Sequence, residues 1–391
     1  MHRLAALALL ALIPASARAE IPCGGSFSEF RAAMQAEAIA RGHDPAAAER
    51  FFGGLRQDPK VLQRDRAQGI FQLPFIDFSR RVISQNRIQN GRANLKTYAP
   101  IFERIEREQG VSPGVLLAFW ALETDYGAVQ GNFNTANALM TLSHDCRRPE
   151  LFQPQVFAAL TLYERGDFDP ASVTGAWAGE IGMVQMLPGD ILENGVDGDG
   201  DGHVSLKTSV PDALMSGAAM LRALGWRPNE PWLQEVTVPA GLDWALTGLD
   251  HPRLAADWAA LGVTPRGGPL AAPGLPAALI LPQGKDGPAF LAYPNFNIYF
   301  EWNQSFTYVL TAAYFATRLE GAQIYDAGNP APGLSGEQIQ ALQRKLVERG
   351  HDVGGIDGIL GEKTREAVQA EQLRLGMPAD AWPTPAMLNA L

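Results

Sequence analysis

A mainly α-helical protein is predicted, with a large N-terminal domain that includes a short strand element and a small three-helix domain after it. Three observations carry that reading. Apolar residues recur at helical spacing from Ser28 to Leu261, where strand-like alternation is scarce. A Pro/Gly-rich patch from Thr264 to Pro288 surrounds Ala277 to Leu281, a candidate short strand. Asp326 to Gly333 reads Asp-Ala-Gly-Asn-Pro-Ala-Pro-Gly, the composition of a linker, and helical spacing resumes beyond it. With 391 residues, 46% of them hydrophobic and 19% charged, the chain has material for two or three compact units, which excludes disorder and a disulfide-dense miniature fold.

Met1 to Ala19 opens with His2 and Arg3, continues through the apolar run Leu4 to Ile13 and ends in Ala17-Arg18-Ala19, a small-x-small cleavage pattern. It reads as a removable secretory signal. No later apolar stretch approaches the roughly 18 residues needed to span a bilayer. The mature chain is therefore expected to be soluble and exported, either periplasmic or secreted. Glu20-Ile21-Pro22 lacks the small residues of a lipid-attachment box, so Cys23 is not expected to carry lipid. Cys23 and Cys146 are the only cysteines, and in an oxidising compartment a bridge between them is expected, with two separate buried thiols as the alternative.

Arg41-Gly42 and Gln109-Gly110 are helix stops, and Ser112-Pro113-Gly114 opens a further helix. Phe306 to Leu319 reads as a buried helix. In the tail, Glu337 to Arg349 carries Ile339, Leu342, Leu346 and Val347 on one face and is stopped by Gly350. A second helix runs from about Glu362 to Leu375, and a third starts from a Thr384 cap with Pro385 in its first turn, then Met387, Leu388 and Leu391. The expected divisions are a leader over 1–19, a large domain over 20–325, a linker over 326–333 and the small domain over 334–391.

Lys and Arg number 32 against 42 Asp and Glu, a formal charge of -10, so nothing draws the chain toward phosphate backbones and nucleic acid is not an expected partner. The sequence has no G-x-S-x-G elbow, no phosphate-binding G-x-x-x-x-G-K, no G-x-G-x-x-G and no H-E-x-x-H, and its six His are scattered. Serine-hydrolase, nucleotide, dinucleotide and zinc-protease chemistry lose their support together.

Three local features remain. Val115 to Leu122 is apolar on nearly every face, so the helix is buried and delivers Glu123 near its C-terminal end. Loss of water and the negative end of the helix dipole both raise a carboxyl pKa there, as a general acid near neutral pH requires. A structural Glu that caps amides or pairs with an Arg is the alternative. Asp125 points to another side of the helix and is a poor second member of a catalytic pair. Next, Asp197-Gly-Asp199-Gly-Asp201-Gly-His203 matches the first half of an EF-hand loop, with acids at positions 1, 3 and 5, Gly at 6 and a carbonyl at 7. Position 12 is Thr208, so a later carboxylate such as Asp212 must complete a calcium shell; a metal-free Asp-Gly turn is the alternative. Third, Gly175-Ala-Trp-Ala-Gly-Glu-Ile-Gly-Met-Val-Gln185-Met-Leu-Pro188 places aromatic and amide groups on a glycine-rich segment that a ligand can approach closely, though a packed hairpin explains it as well.

These motifs, with Asn295-Phe296 ahead of Trp302-Asn-Gln-Ser305, together resemble the lytic murein transglycosylase B family, in order and spacing from Phe27 to about Leu319. The tail, with Ile339-Gln-Ala-Leu-Gln343, Gly355-Ile-Asp-Gly-Ile-Leu-Gly361 and Thr364, is similar to a peptidoglycan-binding domain of the three-helix type. The resemblance implies a lysozyme-like fold that cleaves the β-1,4 bond between N-acetylmuramic acid and N-acetylglucosamine without water, leaving a 1,6-anhydromuramyl end. Glu123 matches the single catalytic acid, which then serves as base. Charge on the sugar falls to the substrate's own N-acetyl group, an exception to the two-carboxylate scheme. By the same resemblance Gln185, Asn295, Trp302 and Tyr126 contact the glycan, while Asp197, Asp199, Asp201, the His203 carbonyl and Asp212 hold calcium. The chain departs from the family at Ala176, where a serine is common, and at Trp302, where some members carry tyrosine. Two other readings stay open: a muramidase that admits water with Asp125 or Glu180 as base, and a calcium-dependent wall-binding scaffold without turnover.

Overall fold

A computed structural model describes residues 21–67 and 73–391; the expected leader over 1–19 lies outside the described residues. Several helices start where the sequence supplies a cap. Ser26, Asp44, Asp58 and Ser84 each accept a backbone N–H of the first turn, and Pro45 and Pro59 occupy positions where no N–H is missed. Seventeen α-helices are present among the described residues. At the centre lies the helix Pro113–Thr124, buried from Gly114 through Ala121, packed along the helix Phe306–Leu319. Gly114 permits that close crossing, because a Cβ there would stand 2.7 Å from the Ala316 carbonyl oxygen. Cys23 is bonded to Cys146 across 123 residues of sequence, which ties the start of the described chain to the helical core.

Between Leu233 and Ala292 the chain departs from the helical expectation. Five antiparallel strands form one sheet in the order Arg253–Leu254, Pro276–Ile280, Ala289–Ala292, Leu233–Thr237, Thr264–Pro265. Leu279 pairs with Leu291, and Leu233 with Ala292. Ala278, Ile280, Phe290 and Ala292 face the main helical core, whereas Ala277, Leu279, Ala289 and Leu291 face a second core with Trp258 and Tyr293. Both faces are dry, so the two central strands show no polar alternation to read, and the edge strands are too short to show any.

The tail forms the helices Gly336–Glu348, Glu362–Arg374 and Pro385–Ala390 around Ile339, Leu342, Leu346, Val353, Val368 and Met387. Val347, expected on the inner face, is exposed; Gln343 takes the inner position, its amide donating to Asp357 Oδ1 and the Ile359 carbonyl and accepting from Gly358 N. The 326–333 segment is not a loose tether. Asn329 N donates to the Asp286 carbonyl, and the Trp382 indole donates to that of Ala331. Gln369 Nε2 reaches the Trp244 and Thr247 carbonyls of the sheet unit at 3.1 and 2.9 Å. The tail is therefore docked against the rest of the chain.

Candidate active site

Glu123 sits one residue before the end of the central helix, and the chain leaves that helix through an unusual turn. Asp125 and Tyr126 both take left-handed conformations, φ 51° and 60°, followed by Gly127 at φ 86°. Non-glycine residues adopt this region at a cost, so the surroundings must hold them there. Asp125 accepts from Arg87 Nε at 3.0 Å, the Tyr126 hydroxyl donates to the Arg87 carbonyl at 2.7 Å, and Thr124 Oγ1 donates to the Met183 carbonyl at 2.7 Å while accepting from Gly127 N. The turn is thus fastened on one side to the Gln85–Thr97 helix and on the other to the glycine-rich segment.

The Glu123 carboxyl faces two donors from the opposite wall. Trp302 Nε1 donates to Oε1 at 3.1 Å, and the Tyr308 hydroxyl donates to the same oxygen. The Trp302 ring stacks on Phe119 of the central helix with centroids 4.3 Å apart, which sets its height over the acid. Burial raises the Glu123 pKa to about 7; the two donors pull against that rise, and the nearby Glu180 charge adds to it. An oxygen that accepts two hydrogen bonds is not the one that carries a proton, so the acidic proton belongs on Oε2. A carboxyl that titrates near 7 holds both forms at neutral pH and can give a proton and take one back there.

The two other carboxyls considered as a hydrolytic base are poorly placed for that work. Asp125 is paired with Arg87. Glu180 has its pKa raised by burial, and its Oε2 is buried without a hydrogen-bond partner among the described residues, so nothing there orients it toward a water.

The glycine-rich segment lies beside the acid's turn. Gly175 is required at its start, since a Cβ there would stand 2.0 Å from the Glu180 carbonyl oxygen. Gln185, at φ 53°, donates from Nε2 to the Gly182 carbonyl at 2.7 Å. Met183 N accepts support from the metal-type loop by donating to the Leu206 carbonyl.

In that loop the Asp197, Asp199 and Asp212 carboxylate oxygens converge to within 4.8 Å of one another. Asp212, fully buried, accepts from Gly198 N, Asp199 N and Ser205 N. Asp201 stands outside this group, its carboxylate accepting from His203 N, and the His203 ring pairs with Asp167. Three converging hard oxygens fit a divalent cation of the calcium type.

One expectation needs correction. Asn295 is not at a groove. It is fully buried, donating to the Arg227 and Glu230 carbonyls and accepting from Arg227 N, so all its polarity is consumed in pinning the 227–230 turn. Tyr126 is part-exposed beside the acid's turn, with its hydroxyl donating to the Arg87 carbonyl. Sequence reasoning missed Tyr308; the available signal was a tyrosine in the first turn of a helix that follows the Trp302 motif, with Ser305 as its cap.

A lysozyme-like helical domain with a part-buried acid at the end of its central helix, joined to a small helical module, defines the class: a transglycosylase domain with a peptidoglycan binding domain behind it. Residues 26–317 match the transglycosylase SLT domain family and residues 335–391 match the peptidoglycan binding domain family. The chain belongs to the transglycosylase SLT family. It is 28% identical over 238 residues to membrane-bound lytic murein transglycosylase B of Escherichia coli K12, a match spanning 60% of this chain and 64% of that protein. It is 37% identical to SltB3 of Pseudomonas aeruginosa crystallised with NAG-anhNAM-pentapeptide, with a TM-score of 0.85 over 94% of this chain and 99% of that one. The Escherichia coli lytic transglycosylase Slt35, solved with calcium, shares the fold at 24% identity and a TM-score of 0.64, covering 77% of this chain and 96% of that one.

Proposed function

We propose that this chain is a lytic transglycosylase that cleaves the β-1,4 bond between N-acetylmuramic acid and N-acetylglucosamine in peptidoglycan. The observation that carries the reading is the Glu123 carboxyl, part-buried, titrating near 7 and, among the described residues, hydrogen-bonded through one oxygen. Glu123 Oε2–H protonates the glycosidic oxygen as the C1–O bond breaks. The resulting carboxylate takes the proton of the muramyl C6 hydroxyl as that oxygen bonds to C1, which closes the 1,6-anhydro ring and restores the acid. The Trp302 and Tyr308 donors stabilise the carboxylate between the two transfers. The same donors limit how far burial raises the pKa. Trp302 and Gln185 are the groups we assign to glycan contact.

Asp197, Asp199 and Asp212 would hold calcium. A bound cation would supply charge that stiffens the loop, and the loop's Leu206 backs the glycine-rich segment beside the acid. An exported, periplasmic or secreted location agrees with the Cys23–Cys146 bond and with a peptidoglycan substrate. No helix among the described residues is long and apolar enough to cross a membrane.

Mass analysis of muropeptides released from purified sacculi tests the reaction. Anhydro ends, one water lighter than hydrolytic ends, are expected from the parent. Reducing ends would instead establish a water-admitting muramidase, and wall binding by a parent that releases no fragments would establish a scaffold.

A further inference from the structure

Both donors to Glu123 flank one short connection. Trp302 ends the helix Pro294–Trp302, and Tyr308 lies in the first turn of Phe306–Leu319. Between them Asn303 Oδ1 accepts Ser305 N, and Ser305 Oγ accepts Tyr308 N. The position of this turn therefore sets both hydrogen bonds on the acid. Phe306, the first residue of the second helix, is buried on the outer side of the turn, with its ring near Phe300.

What covers Phe306 comes from the C-terminal module. The Arg365 guanidinium lies over the Phe306 ring, 4.5 Å from its centroid, with Trp382 at 5.9 Å, and its Nη2 donates to the Pro282 carbonyl at 2.8 Å. Arg365 makes no ion pair among the described residues, and its Nε is buried without a partner. Burial lowers its pKa to about 10, with Asp380 acting in the opposite direction. A part-buried guanidinium with so little charge compensation is held by fit rather than by an ion pair. One turn along the same helix, Gln369 bonds to the sheet unit, so Arg365 rides on a docked helix rather than a free one.

We propose that Arg365 is a positioning residue for the reaction: by clamping Phe306 it holds the Trp302–Tyr308 turn against Glu123, which makes the C-terminal module part of the catalytic unit as well as a wall anchor. The inference rests on Glu123 as the acid. Around that carboxyl stand Tyr308 and Trp302 on the turn, Glu180 on the glycine-rich segment, and, facing Tyr308, the Arg87 charge.

The experiment uses the full chain and soluble GlcNAc–MurNAc oligomers, so that wall capture does not enter, and measures kcat and KM from about pH 5 to about pH 9. Arg365→Met should lose about tenfold in kcat with KM near the parent's. Its alkaline limb should move to higher pH, because loosening the two donors removes what holds the Glu123 pKa down. Arg365→Lys, which keeps a cation over Phe306, should recover most of the loss. Gln369→Ala loosens docking away from Phe306 and should keep the parental limb. Phe306→Leu asks the same question without removing the guanidinium, should Arg365→Met fail to fold, and should show the same two changes. Parental kcat and parental pH dependence in Arg365→Met, or in Phe306→Leu where it alone folds, overturn the proposal. A parent whose alkaline limb survives Glu123→Asp unchanged would instead overturn the assignment of the acid.

Discussion

Trp302 and Glu123 lie 179 residues apart in sequence, and the indole N–H of the one donates to a carboxyl oxygen of the other at 3.1 Å. Phe119, one helical turn before Glu123, stacks on the same indole, so the helix that carries the acid also seats its donor. The acid and its environment form one packed object, and substitutions around it have separable consequences.

Glu123→Gln should abolish release of soluble fragments while wall binding persists. It should also stabilise the fold at high pH. The folded carboxyl titrates near 7 and the unfolded one near 4.5. As pH rises from the lower to the higher value, the unfolded chain gives up this proton first, so stability falls across that window and the penalty is complete above it. The penalty is at most about 3 kcal/mol. Thermal melts should place the variant above the parent at about pH 8 and level with it at about pH 4; equal melting temperatures at both would contradict a strained acid.

Tyr308→Phe removes one donor from Glu123 Oε1. The expected results are a fall in kcat of roughly tenfold to a hundredfold and an alkaline limb displaced upward from about pH 7. A downward displacement in the pH–rate profile would count against the hydroxyl as a donor to this carboxyl.

Calcium should raise the melting temperature of the parent, with chelator reversing the gain, since a cation bound only by the folded state stabilises by mass action. In Asp199→Ala the response should be lost or much reduced. Differential scanning calorimetry with and without added calcium decides the matter, and an unchanged response in Asp199→Ala would remove the loop as the site.

Asn295→Ala should weaken the fold by about 2–4 kcal/mol, because the Arg227 N–H and the Arg227 and Glu230 carbonyls lose their partner. KM for the folded fraction should stay parental. Chemical denaturation with steady-state kinetics on the same preparation separates the two, and a raised KM at unchanged stability would return Asn295 to the groove.

Much of the site was legible because its determinants are local. An unbroken apolar run buries a helix and leaves the carboxyl near its end part-buried, and acids alternating with glycines fold into an oxygen-lined loop. The tail's caps and apolar spacing likewise foretell three helices. Asn295 shows where such reading ends: an amide next to a motif looks the same in sequence whether it meets a sugar or three backbone groups. Trp302 was picked out by motif, yet nothing in the motif says that its N–H lands on the acid.

Local pattern, then, was enough for the helical class, the buried helix that carries Glu123 and the acidic loop, since each depends on residues within a few turns of one another. The partners of Glu123, the burial of Asn295, the two-faced sheet and the docking of the tail follow from contacts between segments tens to hundreds of residues apart. Chain periodicity reports which face of an element is dry, and is silent about which distant element dries it.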